Sequence, residues 1–164
     1  MSLKPESGEI RDRVHALPLR VYYEDTDVGG IVYYANYLKF MERGRSDMLR
    51  LSGIDQTALL AGCEGDEGLM FAVRSCSIDY LKPARFDDEI IVKTWLQAIT
   101  AATLVMCQEI WRGGDLLATA SVKAALLSSD GRPRRLPSKI RHILAAIVTS
   151  GGVSGGRGGS QGKS

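Results

Sequence analysis

Residues 35–51 carry the chain's one long helical period, and residues 69–128 then turn to strand signals with few breaks. Tyr37, Phe40, Met41, Gly44, Met48 and Leu51 fall on one helical face, while Lys39, Glu42, Arg43, Arg45, Asp47 and Arg50 lie mostly elsewhere. Arg43 and Asp47 are spaced to pair weakly, and Gly53 is placed to stop the helix after its last turn. Gly44, inside the helix, costs about 1 kcal/mol relative to Ala, so its presence predicts a close approach of the helix backbone to a sheet. Before the helix, residues 17–25 alternate apolar and polar through Leu17, Leu19, Val21 and Tyr23, as a strand does. After it come four β-rich segments at 69–81, 88–99, 102–112 and 115–128. Thr100-Ala101 and Gly113-Gly114 read as tight turns, which makes the last three strands a meander. Pro137 opens a short closing helix to 147, striped by Ile140, Ile143, Leu144 and Ile147. One long helix against an antiparallel sheet is α+β architecture.

The length of 164 residues fits one domain. Residues 1–16 read as a loose N-terminal extension, 17–148 as the folded body, and 149–164 as a flexible glycine-rich tail. The tail contains two motif-like stretches, a G-x-S-x-G at 152–156 and a Gly-Lys-Ser at 162–164. Neither has the strand and helix that its chemistry requires, so both read as accidents of composition. Arg157 and Lys163 account for the net charge of +2, and the remainder balances 19 basic against 19 acidic residues. A neutral body does not point to nucleic acid. No apolar run is long enough to span a bilayer. The polar N-terminus does not read as a signal peptide, so a cytoplasmic location is expected. Cys63, Cys76 and Cys107 show neither disulfide nor zinc spacing and read as reduced thiols. With only His15 and His142 in the chain, histidine-based catalysis or a multi-His metal site is disfavoured.

The densest chemistry lies between Arg20 and Tyr37. A strand runs into Glu24, Asp25 and Asp27, a Gly29-Gly30 turn follows, and the long helix begins. Helix N-termini present unpaired N–H groups and partial positive charge. An acid such as Asp27 beside that terminus makes a compact site: the N–H groups polarise a carbonyl, and the carboxylate attacks it or activates water. The plainer reading is a capped turn in which the acids and glycines serve only the backbone.

The wording of this segment adds to the argument. Tyr22-Tyr-Glu-Asp-Thr-Asp-Val-Gly-Gly-Ile-Val-Tyr-Tyr-Ala-Asn-Tyr37 is followed by Glu42-Arg-Gly-Arg45 and Met48-Leu-Arg50. Later come Tyr80-Leu-Lys-Pro-Ala-Arg-Phe-Asp-Asp88 and Pro133-Arg-Arg-Leu-Pro137. Together they resemble the acyl-CoA thioesterases of the hotdog fold, in the 4-hydroxybenzoyl-CoA thioesterase family, and within it the members encoded beside the Tol–Pal envelope system. The likeness covers about residues 17–144 and implies a hotdog fold, a long central helix wrapped by an antiparallel sheet.

The resemblance also implies roles. Asp27, the second acid of Asp-x-Asp, would be the nucleophile or general base. The Tyr34 N–H would hold the thioester oxygen, and Tyr23 would lie near the acid. Asn36 belongs to an Asn-Tyr pair with Tyr37, for which helix capping and packing is the plainer role. Phe71 would line the acyl pocket or simply fill core. Arg132, Arg134 and Arg135 would meet the phosphates of CoA, or form a solvated basic loop. Some relatives carry a histidine at the position of Tyr34. A tyrosine, with pKa ~10, is a poor base at neutral pH, so here Asp27 would act without an imidazole. The reaction needs no metal and no separate cofactor, since CoA is part of the substrate. Implied partners are an acyl-CoA, a second copy of the chain in a homodimer or homotetramer, and envelope-complex proteins. A hotdog dehydratase is disfavoured because the long helix holds no histidine. A non-catalytic acyl-CoA-binding or envelope-associated module is the alternative from another class.

Overall fold

The computed structural model describes residues 3–62 and 67–149. Cys63 and both motif-like stretches lie outside the described residues, as does all of the expected tail except Thr149. Six antiparallel strands form one sheet in the order β1-β2-β4-β5-β6-β3. They are β1 (Glu9–Arg11), β2 (Val14–Arg20), β3 (Leu69–Tyr80), β4 (Glu89–Ile99), β5 (Thr103–Arg112) and β6 (Asp115–Ser128). The long helix α1 (Asn36–Leu51) crosses one face. Two shorter helices, α2 (Gln56–Ala61) and α3 (Ser138–Ile147), lie toward the C-terminal end of α1.

The expected close approach at Gly44 is present. A Cβ there would stand 2.9 Å from both Thr94 Oγ1 and Val92 Cγ1 on β4. Along α1, Tyr37, Phe40 and Met41 pack with Val21, Val32, Val92 and Ile110. Two turns further, Met48 and Leu49 pack with Leu96, Leu104, Leu126 and Leu144. Each fully buried side chain of this size contributes roughly 1.5–3 kcal/mol. Beneath Gly44, the buried Gln108 amide donates to Met41 O and Thr94 Oγ1, both at 2.8 Å, and accepts from Arg45 at 2.9 Å. Its hydrogen-bonding groups are thereby matched inside the core.

Several expectations are corrected. Residues 1–16 are not wholly a loose extension: β1 and β2 form a hairpin, turning through Asp12 and Arg13 at positive φ, and Ala16 and His15 extend the pairing into β4. The inner face of α1 includes Leu49 and Asp47, while Leu51 is exposed. Asp47 pairs not with Arg43 but with Arg50, His15, Ser7 and the Gly8 N–H. Period counting assigns a carboxylate to solvent; this one is buried because the N-terminal segment brings it donors. The strand expected over 17–25 is β2, which ends at Arg20, and the chain then turns through a short 3-10 segment, Tyr23–Asp25. The turn forms because the Tyr22 N–H donates to Asp25 Oδ2 at 2.8 Å.

Strand β3 lies at the sheet edge with one side unpaired among the described residues. It is twelve residues long and exposes Met70, Val73 and Tyr80. A long open edge with apolar side chains is a ready pairing surface.

Candidate functional site

The site begins where the sheet hands over to α1. Asp27 opens a small loop closed by Asp27 N to Ile31 O (2.9 Å) and Gly30 N to Asp27 O (3.0 Å). Gly30 has φ +74°, in the left-handed region open to glycine, which the turn requires. The loop is stitched to the β3–β4 connection by Val32 N to Ala84 O (2.9 Å), and Tyr37 Oη accepts the Ala84 N–H at 2.9 Å.

Asp27 is exposed. Its Oδ1 accepts the Gly29 N–H at 2.8 Å, and its Oδ2 has no hydrogen-bond partner among the described residues. The carboxylate thus has one oxygen fixed by the turn and one available to a reactant. Asp25 has a different task. It is buried, and its carbonyl receives Tyr33 N (3.0 Å) and Asn36 Nδ2 (2.7 Å). Asn36 therefore ties the acidic turn to the first turn of the helix.

The helix start offers donors. Asn36 N reaches Tyr33 O at 2.8 Å, but neither the Tyr34 N–H nor the Ala35 N–H has an acceptor among the described residues. A free pair of N–H groups at a helix N-terminus, near an exposed carboxylate, can hold a developing oxyanion while the acid attacks or activates water. The ring of Tyr34 packs at a tilt against Tyr33 at 4.8 Å and edge-on to Tyr80 at 6.2 Å between ring centres.

Other expected site residues are dispersed. Tyr23 is 83% exposed, packs edge-on to Phe86, and makes no side-chain hydrogen bond to Asp27 among the described residues. Phe71 is half-buried near the start of β3 and packs on the core at the far end of α1. Arg134 N bonds Leu126 O, so the arginine loop sits beside that same end. Arg132 pairs with Asp130 at 3.2 Å and Arg134 with Glu67 at 3.3 Å, while Arg135 is exposed with no salt bridge among the described residues. Asp27 and Tyr34 lie by the opposite end of β3, where Tyr80 touches Tyr34. Eleven residue steps of extended strand separate the two ends by roughly 36 Å. One chain therefore does not bring Phe71 and the arginines to Asp27. Reading by residue type did not find Tyr80, whose only signal was its place in the Tyr80–Asp88 motif; Asp25 has the turn-capping role that the plainer reading gave it.

One long helix lying on an antiparallel sheet, with an acidic turn and a glycine loop at its N-terminus, defines a hotdog-fold protein. The chain belongs to the thioesterase superfamily, whose family model matches residues 29–119. It is 37% identical over 131 residues to the acyl-CoA thioesterase YbgC of Haemophilus influenzae, covering 79% of this chain and 93% of that protein. It is 40% identical over 125 residues to the acyl-CoA thioester hydrolase YbgC of Escherichia coli O6:H1, covering 75% and 90%. Among solved structures, a probable thioesterase from Bartonella henselae is similar, with TM-score 0.72 and 44% identity, over 76% of this chain and 99% of that one. No helix among the described residues is long and apolar enough to cross a membrane.

Proposed function

We propose that the chain hydrolyses an acyl-CoA thioester to a free acid and CoA, with Asp27 as the reacting carboxylate. The observation that carries this is the exposed Asp27, one oxygen uncommitted, on a turn tied through Asp25 to a helix start with two free N–H groups. The names of the relatives at 37% and 40% identity supply the substrate class. The Tyr34 N–H donates a hydrogen bond to the thioester oxygen as it gains charge. The Asp27 carboxylate then either adds to the thioester carbon, giving a mixed anhydride that water opens, or takes a proton from attacking water. In both routes the C–S bond breaks, the thiolate of CoA leaves with a proton from water, and the acyl group gains one oxygen. CoA enters as part of the substrate.

A complete site needs a second copy. Two β3 edges paired antiparallel bring the start of one strand beside the end of the other. Phe71 and the arginine loop of one subunit then approach Asp27 and Tyr34 of its mate. Phe71 lines the acyl end, and Arg135, with Arg132 and Arg134 once their surface pairs open, meets the CoA phosphates. Asn36 acts by bracing the turn, and Tyr23 forms an exposed rim. The non-catalytic alternative is not favoured, because the similar proteins carry hydrolase names.

Free-thiol release from short, long and aromatic acyl-CoAs tests the reading, with wild type and Asp27→Asn compared. Turnover by wild type that Asp27→Asn lacks supports it. Absence of turnover across the panel overturns it.

A further inference from the structure

The Tyr80 hydroxyl lies 3.1 Å from the backbone carbonyl of Tyr34, with the geometry of a donor. That carbonyl is poorly served otherwise, since the first-turn bond from Tyr37 N is long, at 3.4 Å. The Tyr80 ring is clamped edge-on by Tyr34 at 6.2 Å and by Tyr37 at 5.3 Å between centres. Tyr37 is buried and anchored in turn by the Ala84 N–H. The phenol is therefore oriented by packing as well as by its hydrogen bond.

A trans peptide is planar, so fixing the Tyr34 carbonyl also fixes the Ala35 N–H, which points the opposite way. A hydrogen bond to the carbonyl polarises the same peptide and makes that N–H a better donor. Resting on the hydrolase reading above, we infer that Tyr80 is a positioning residue: its hydroxyl holds the Tyr34–Ala35 peptide so that the Ala35 N–H joins the Tyr34 N–H as a second donor to the thioester oxygen. Tyr80 touches no reacting atom. It links the end of the edge strand β3 to the helix start, so the strand that offers the pairing edge also sets the donors.

Tyr80→Phe tests this, because it keeps the ring and removes one oxygen. In the full-length protein, kcat for the best acyl-CoA of the panel falls roughly 10-fold, in the range of outer-shell supports, while KM stays within about two-fold. The melting temperature stays close to that of wild type. In a proton–nitrogen NMR spectrum the Ala35 amide proton moves upfield, because its carbonyl partner has lost a donor. Tyr80→Leu, which removes the ring as well, lowers the melting temperature. Unchanged kcat in Tyr80→Phe, together with an inactive Asp27→Asn, overturns the role of Tyr80 and leaves the hydrolase reading standing. Wild-type turnover by Asp27→Asn overturns that reading instead. An unmoved Ala35 resonance overturns the positioning contact whatever the activity.

Discussion

His15 Nε2 stands 2.7 Å from Asp47 Oδ2, and both side chains are buried. An ionised carboxylate only accepts, so the imidazole donates through Nε2; its Nδ1 has no hydrogen-bond partner among the described residues. Burial by itself pushes the Asp47 carboxyl up, but the Gly8 N–H, His15, Ser7 and Arg50 outweigh it and hold the group down at about 2, against an ordinary 3.8. A depressed carboxyl stabilises the fold above its unfolded value, and that contribution is lost as pH falls through the folded value. The stability difference between wild type and Asp47→Asn should therefore shrink by about 2 kcal/mol between pH 6 and pH 2. Urea titrations of both proteins across that range check it, and a constant difference refutes it.

Gly44→Ala sets two effects against each other. Helix propensity favours Ala by about 1 kcal/mol. The new methyl, however, meets Thr94 Oγ1 and Val92 Cγ1 at 2.9 Å, with Gln108 Nε2 at 3.3 Å. Overpacking of this kind costs about 1–3 kcal/mol, and the buried Gln108 network leaves little room to yield. The variant should be less stable by up to about 2 kcal/mol in a denaturant titration. A gain in stability would show that α1 can lift from β4.

Asp27→Asn keeps the side chain's shape and its Oδ1 acceptor for the Gly29 N–H, and removes charge and basicity. It should lower kcat by at least ~100-fold with the melting temperature little changed. Activity within a few-fold of wild type would mean that the thioester is attacked without this carboxylate.

The separation of Asp27 from the arginine loop makes assembly measurable through activity. Subunits carrying Asp27→Asn and subunits carrying Arg132→Glu, Arg134→Glu and Arg135→Glu are each expected to be poor hydrolases at low substrate concentration. Unfolded together and refolded as a mixture, they form hybrid dimers in which one site has both halves intact. About a quarter of wild-type activity should return if pairing is random. No recovery would show that each site is built within one chain.

Periodicity in the sequence was sufficient for the helix over 35–51 and the strands at 69–128, because helix and strand repeats are written in neighbouring residues. The Asp27 turn was legible for the same reason, since an acid, two glycines and a helix start lie within ten positions. The burial of Asp47 was not legible: its donors come from Ser7, Gly8 and His15, more than thirty residues away. The same holds for Tyr80, whose hydroxyl meets a carbonyl 46 positions earlier. A polar group's environment depends on what folding carries to it, and no local pattern records that. The division of the expected site between the two ends of β3 likewise follows from strand length and sheet order. Residue type offered Asp27 as a candidate acid, but the path of the chain between Phe71 and Tyr80 set which groups stand near it.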